Sequence, residues 1–469
     1  MVLFSSPMQE ALTIAQSCAD SAPRVHTRGV VPDNAVALVN LQTFGCQMNE
    51  YDSELVGSLL HGRGYGFTAE DHKADVILFN TCAIRETAHA RIFARLGDLQ
   101  HEKRQRPELV VGILGCMAQN LKEDILLKFP VVDLICGPDS YRQLPDLIDR
   151  ARGLRERGAG IDLSEYETYD DIAPTRVEGV NAWIAIMRGC DNFCTFCVVP
   201  YTRGRERSRD PRGVVDETRR LADQGYKQVT LLGQNVNSYR HDAADFADLM
   251  LQVADVPGIE RVRFTSPHPK DFPEKLLHAI ADHPHLCKQI HLPLQAGSDR
   301  ILKKMNRGYT PDEYQRLAER IREIIPGVAI STDIICGFCG ETDEEYLETE
   351  RIVREVEFES AFIFKYSERV GTIAAKLWPD DVPEDVKSQR VTRLVELQKQ
   401  ISAKKHHAML GGTVRVLIEG ESKKSAAEWR ARTEANTIVV FADPTKQVGD
   451  FCNVRITETT PNTLIGVAA

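Results

Sequence analysis

Three cysteines share one short segment, Arg188–Gly189–Cys190–Asp191–Asn192–Phe193–Cys194–Thr195–Phe196–Cys197, in a C-x3-C-x2-C spacing. Thiolates this close can hold three irons of one cubane cluster on a single loop. A [4Fe–4S] cluster ordinarily takes four cysteines, and a local fourth is absent, so one iron stays open to a substrate. The alternatives are a structural zinc site and chance. Zinc wants a fourth ligand near at hand, and neither His nor Cys follows in the loop.

A second set is scattered. Cys46, Cys82 and Cys116 each follow an apolar run, in Thr43–Phe44–Gly45–Cys46, Asn80–Thr81–Cys82 and Leu114–Gly115–Cys116. If those runs are neighbouring parallel strands, their carboxyl ends share one sheet edge, the usual ligand crevice, and the three thiols meet there. Gly45 and Gly115 permit tight turns beside them. The competing reading is that cysteines are small core residues. Cys136 follows a fourth run; it is a candidate fourth ligand, though a core or loop role is favoured. Cys18, Cys287, Cys336 and Cys452 are assigned to packing.

The frame follows from periodicity. Apolar runs at 36–41, 76–79, 110–114 and 132–135 predict strands, with helical patterns at 50–60 and 87–99 between them. Such alternation implies a parallel sheet with helices on its faces. The stretch 153–180 changes from Gly- and Arg-rich to acidic and reads as a linker. A second alternation predicts strands at 183–187, 229–232, 261–264, 289–292, 328–335 and 361–366. Six strands suit an open or partial barrel; a closed one of the common kind needs eight. A charged helix at 386–407 precedes short β-rich runs at 413–418, 429–433, 437–441, 452–456 and 463–467. Their texture is that of a small barrel of the oligonucleotide-binding kind. The expected fold is therefore α/β, with an N-terminal parallel sheet domain (36–152), the linker (153–180), a partial (β/α)6 barrel (181–408) and a small antiparallel, OB-like C-terminal β-barrel (409–469). Residues 1–35 read as a disordered tail without a signal-peptide plan.

The chain has 469 residues, 42% hydrophobic and 27% charged, the balance of a soluble globular protein of several domains. No apolar run reaches the ~20 residues of a membrane span. The net charge of −10 argues against nucleic-acid binding through bulk charge, so RNA contact must rest on local patches. With 12 cysteines and no secretion signal, clustered thiols read as metal or redox ligands and not as disulfides.

The Cys190 segment resembles the radical S-adenosylmethionine superfamily. The chain from about 36 to 467 resembles, more narrowly, its methylthiotransferases. The stretches that carry this are Thr43-Phe-Gly-Cys-Gln-Met-Asn-Glu50, Asn80-Thr-Cys-Ala-Ile-Arg85, Gly115-Cys-Met-Ala-Gln119, 188–209 and Leu292-Pro-Leu-Gln-Ala-Gly-Ser-Asp299. The resemblance implies two [4Fe–4S] clusters, an auxiliary one on Cys46, Cys82 and Cys116 and a radical-generating one on Cys190, Cys194 and Cys197. It implies that the amine and carboxylate of S-adenosyl-L-methionine chelate the open iron and that the cofactor is cut to a 5′-deoxyadenosyl radical, with sulfur carried by the auxiliary cluster. It implies a C-terminal RNA-binding TRAM domain. The expected substrate is tRNA, at C2 of an isopentenyladenosine beside the anticodon. The expected setting is cytoplasmic, probing no membrane, with a monomer and a donor such as flavodoxin or ferredoxin. By the same resemblance Gly233–Gln234–Asn235 lies near the amino-acid end of the cofactor, and Asp333 and Gly337 approach its ribose or adenine; packing and turn roles are the alternative for all five. One departure is Cys339, in Gly337-Phe-Cys-Gly-Glu341, where the family usually has proline.

Thr202-Arg-Gly-Arg-Glu-Arg-Ser-Arg209 sets four arginines against one glutamate beside the cluster loop. Arg203 and its neighbours are expected to grip phosphates or the cofactor carboxylate, against the alternative of a solvated helix start. From 411 onward acidic and basic residues balance, so an RNA patch would be local, built on Trp429, Arg430 and Arg432. His268 is either pocket-facing or structural, and His291 is expected to be a satisfied core histidine. Rival functions are methylthiolation of threonylcarbamoyladenosine or of a ribosomal-protein aspartate. A rival of another class is a non-catalytic iron–sulfur RNA-binding regulator.

Overall fold

The computed structural model describes residues 24–26, 35–83, 86–176, 179–423 and 425–469. The tail expected at 1–35 lies outside these apart from Ala35 and Arg24–His26, which pair antiparallel with Leu38–Phe44 at the sheet edge.

The first sheet runs in parallel from Leu38–Phe44 through Val76–Thr81, Val110–Leu114 and Leu134–Cys136 to Gly158–Gly160. Val76–Thr81 and Val110–Leu114 are buried along their whole length, as strands covered on both faces must be. Helices Gln47–Gly62 and Leu144–Gly153 cover one face, where Leu55, Leu60, Leu147 and Ile148 pack with Ala185 and Leu232 of the next domain. Helix Glu86–Gln105 covers the other through Ile92, Leu96 and Leu99. The strand Gly158–Gly160 departs from the linker expected at 153–180. Gly-Ala-Gly carries no β signal of its own, and it is recruited by the open edge of Leu134–Cys136.

The second domain holds six parallel strands in two half-sheets. Gln228–Leu232 lies between Asn181–Ala185 and Arg261–Phe264; Ala329–Cys336 lies between Gln289–His291 and Ser360–Lys365. One bridge, Val262 to Leu286, joins the halves through hydrogen bonds from Val262 N to His285 O (2.8 Å) and Cys287 N to Val262 O (3.1 Å). Among the described residues no pairing joins Asn181–Ala185 to Ser360–Lys365, so the barrel is open on that side. Its helices begin where the chemistry dictates: Thr310 with Glu313 and Thr342 with Glu345 form reciprocal capping boxes.

Helix Glu384–His407 leads to a closed five-stranded barrel. Four of its pairings are antiparallel, as expected of this small barrel, and Ile438–Ala442 with Thr463–Ala468 is parallel. This barrel docks on the amino ends of the central strands. Arg261 donates to the carbonyls of Arg432 (2.8 Å) and Arg415 (3.0 Å), and Arg263 to that of Thr433 (2.8 Å). Among the described residues no helix is long and apolar enough to cross a membrane.

Candidate functional site

Cys82 comes directly after the end of its strand, and Cys46 and Cys116 two residues beyond the ends of theirs, on three adjacent parallel strands. The register sets Phe44 opposite Thr81 and Asn80 opposite Leu114. Cys46 caps helix Gln47–Gly62, and Cys116 opens helix Cys116–Leu121. A β-carbon on Gly45 would lie 2.6 Å from Cβ of Cys82, so the two turns touch. The Cys46 thiol is near enough to raise the pKa of Cys116, adding to the larger effect of burial. Beneath the turns lies Asn80, fully buried, which no sequence pattern singled out. Its Nδ2 donates to Asn49 O (2.9 Å) and Ser53 Oγ (2.8 Å), and its Oδ1 accepts from Asn49 Nδ2 (2.9 Å). Asn49 in turn accepts from Cys46 Sγ at 3.3 Å. Gly115, at φ +83°, leaves space that a β-carbon would fill 2.3 Å from Asn80 Oδ1.

The second set sits on one loop whose base is pinned by an antiparallel pair, Arg188 with Arg207 and Met187 with Ser208. Gly189, at φ +81°, brings the chain so close that a β-carbon would lie 1.9 Å from the Arg205 carbonyl. The loop is held from outside as well. Thr195 N donates to Met305 O (3.0 Å), Asn306 Nδ2 to Asn192 O (3.0 Å), and Arg307 Nη1 to Cys194 Sγ (3.2 Å). Burial pushes the Cys190 thiol to about 11 and Cys197 to about 12, so each needs a cation to shed its proton at neutral pH.

The two sets adjoin. Ala83, Cys116 and Val198 form one small buried cluster, linking a neighbour of Cys82 to a neighbour of Cys197. Arg203 closes the contact: its Nε donates to Cys116 Sγ (3.1 Å) and its Nη2 to Asp52 Oδ2 (2.7 Å). Asp52 is wholly buried and also accepts from Arg188 Nη2 (2.7 Å). Burial alone would raise its carboxyl, but Arg203 and Arg188 outweigh that and hold it below the usual carboxylate range.

The arginine run therefore differs from both readings offered for it. Arg207 pairs with Asp139, and Arg209 with Asp170 and Glu217, all at the seam with the first domain; only Arg205 is exposed, paired with Asp191. Arg203 itself faces the first cysteine set. The composition of the run reveals its charge but not these distant acidic partners.

Among the other expected residues, Gly233 packs on Met187, at the base of the loop. Gln234 Oε1 and Asn235 Oδ1 are buried acceptors without a partner, which suits a bound N–H donor. Asp333 pairs with His291 (3.2 Å), whose Nδ1 meets Ser331 Oγ at 3.0 Å. Gly337 directly follows the strand that carries Asp333 and turns against Lys387 of the long helix, where a β-carbon would fall 2.3 Å from Lys387 Cγ. His268 accepts from Lys270 N through Nδ1 (3.3 Å), and its buried Nε2 has no partner. Cys136 points to Ser140 O (3.2 Å). Cys339 is buried, its pKa raised chiefly by desolvation. In the C-terminal barrel, Trp429 Nε1 donates to Asp443 O (2.7 Å) and Arg432 Nε to Glu419 (2.7 Å), so both are partly spent within the barrel. Among the described residues no disulfide forms, and no three His, Cys, Asp or Glu side chains converge as they would on a single ion. In a cubane each thiolate binds its own iron, so the three stand wider apart. Three thiols per site, with buried cationic donors beside them, fit such a group.

The chain matches three family models: Uncharacterized protein family UPF0004 at residues 38–137, Radical SAM superfamily at 184–353, and TRAM domain at 407–469. The tRNA-2-methylthio-N(6)-dimethylallyladenosine synthase of Chloroherpeton thalassium is 49% identical over 437 residues, 93% of this chain and 97% of that protein. The protein of the same name from Prosthecochloris aestuarii is 48% identical, covering 91% and 97%. Among solved structures, the radical S-adenosylmethionine methyltransferase TsrM from Kitasatospora setae aligns with a TM-score of 0.54 at 15% identity, over 72% of this chain and 74% of that one, a likeness of fold alone. With its full architecture shared at this identity, the chain belongs to the tRNA-2-methylthio-N(6)-dimethylallyladenosine synthase family.

Proposed function

We propose that Cys190, Cys194 and Cys197 hold a radical-generating [4Fe–4S] cluster and Cys46, Cys82 and Cys116 an auxiliary one, in an enzyme that places a methylthio group on C2 of isopentenyladenosine at tRNA position 37. The observation that carries this is the contact of the two cysteine sets through Ala83, Cys116 and Val198. Sulfur held at one can then reach a carbon activated at the other.

When bound, the clusters and S-adenosylmethionine supply the one-electron chemistry and the sulfur. The C2–H bond has no acidic proton at neutral pH, so a side-chain base cannot open it. The chain's part is placement and exclusion of water. Gln234 and Asn235 offer their unpartnered oxygens to the N–H bonds of the cofactor's amino group beside the Cys190 loop. Asp333, held by His291, offers its second oxygen to a hydroxyl. Arg307 and Arg203 each place a cationic donor on one thiol of a set. The low-potential electron comes from a flavodoxin or ferredoxin, and the working form is a cytoplasmic monomer.

Nucleoside mass spectrometry of tRNA from a strain lacking this protein tests the reading. The 2-methylthio form of isopentenyladenosine should vanish and the unthiolated form accumulate. Loss of only a methylthiolated threonylcarbamoyladenosine would reassign the substrate.

A further inference from the structure

Arg203 stands where the two cysteine sets meet. It ends the short helix Val199–Arg203, which begins two residues after Cys197, yet its side chain reaches back to the first domain. There it is buried at 3% exposure, with Nε on Cys116 Sγ (3.1 Å) and Nη2 on Asp52 (2.7 Å). Its third nitrogen, Nη1, is buried and donates to nothing. A buried guanidinium N–H left unsatisfied is costly, so it calls for an acceptor that the protein alone does not provide. Asp52 fixes the fork in place, and Arg188 on the same carboxylate fixes Asp52.

We infer that Arg203 is a positioning residue that sets the reduction potential of the auxiliary cluster, by donating to the Cys116 thiolate through Nε and to a cluster sulfide through Nη1. The inference rests on the ligand assignment above. One-electron reduction adds one negative charge to the cluster, delivered in the test by an external reductant. A buried cationic donor on a ligand sulfur favours that more negative form, and hydrogen bonds to cluster sulfurs are a recognised lever on potential. Asp52 has a second part in this. Its one carboxylate offsets one of the two arginine charges and holds both guanidinium groups in place, so Arg203 acts through both its charge and its direction.

The test is a mediated redox titration followed by electron paramagnetic resonance. It uses the full-length chain carrying Cys190→Ala, Cys194→Ala and Cys197→Ala, reconstituted with iron and sulfide so that only the auxiliary cluster contributes. Arg203→Met should shift the midpoint to more negative potential. Arg203→Lys, which keeps the charge but loses the fork, should shift it the same way by less. An unchanged midpoint in both variants, at parental iron content, overturns the inference while leaving the ligand assignment intact. Should Arg203→Met fail to hold its cluster, an unchanged midpoint in Arg203→Lys alone overturns it. Parental protein that binds no iron at Cys46, Cys82 and Cys116 overturns the ligand assignment instead.

Discussion

The two cysteine sets achieve comparable ends by opposite means. Cys190, Cys194 and Cys197 sit on one loop, and their proximity is a property of the local chain. Cys46, Cys82 and Cys116 are gathered only because three parallel strands lie side by side in register. The first set is secured by neighbours that grip a loop: Met305, Asn306 and Arg307. The second is secured from beneath by Asn80, whose amide ties the strand ends to the helix behind them. A locally built site is vulnerable where its backbone is tight. A topologically built one is vulnerable wherever the sheet or its seam is disturbed.

Removing each set in turn separates the two most sharply. Replacing Cys190, Cys194 and Cys197 with Ala should abolish S-adenosylmethionine cleavage and halve the iron content. Replacing Cys46, Cys82 and Cys116 should also halve the iron, yet leave 5′-deoxyadenosine formation measurable by chromatography while methylthio product is lost. Asp52→Asn should come next. It leaves Arg188 and Arg203 without their shared buried carboxylate, and losing one partner of a buried pair costs about 3–5 kcal/mol, read as a fall in the chemical-denaturation midpoint. The pH dependence has a fixed sign. The folded carboxyl of Asp52 lies below its unfolded value, so its contribution is complete above about pH 4 and lost as pH falls through the folded value. Asp52→Asn should accordingly flatten the acid limb of a stability–pH curve.

Glycine substitutions probe the contrast at smaller scale. Both glycines sit at positive φ, but Gly189→Ala sets a β-carbon 1.9 Å from a backbone carbonyl, whereas Gly115→Ala meets first a side-chain oxygen, Asn80 Oδ1, at 2.3 Å. Backbone strain of this kind costs on the order of 1–3 kcal/mol. Gly189→Ala should lose its cluster spectrum more completely than Gly115→Ala loses the other. Arg205→Ala, breaking an exposed pair with Asp191, should leave the thermal midpoint within error.

Local signals were legible and remote ones were not. The strands Val110–Leu114 and Arg261–Phe264 coincide with the ranges read from the sequence, the first as an apolar run ended by Gly115 and the second as an Arg-Val-Arg-Phe alternation between Glu260 and Thr265. Gly158–Gly160 escaped because its pairing depends on a free edge and not on its side chains. The cysteine spacing singled out the Cys190 loop as a candidate, and the strand-end positions of the other three fall on neighbouring strands of one sheet. The arginines of 203–209 read as anion grips because nothing in their own segment discloses Asp52 or Asp139, far back in the chain. Asn80 stood in the quoted Asn80–Thr81–Cys82 stretch, but its role was not legible there, because it rests on Asn49 and Ser53 of the helix behind it.

Arg261 and Arg263 hold the C-terminal barrel by its main-chain oxygens, at residues 415, 432 and 433. Those three bonds are blind to side-chain identity, while the side chains of Arg415 on Glu260, Glu434 on Lys288 N (2.8 Å) and Phe451 beneath Arg261 add contacts that are not. The faces of the barrel turned away from this seam can thus be rewritten, residue by residue, without loosening the joint that carries it.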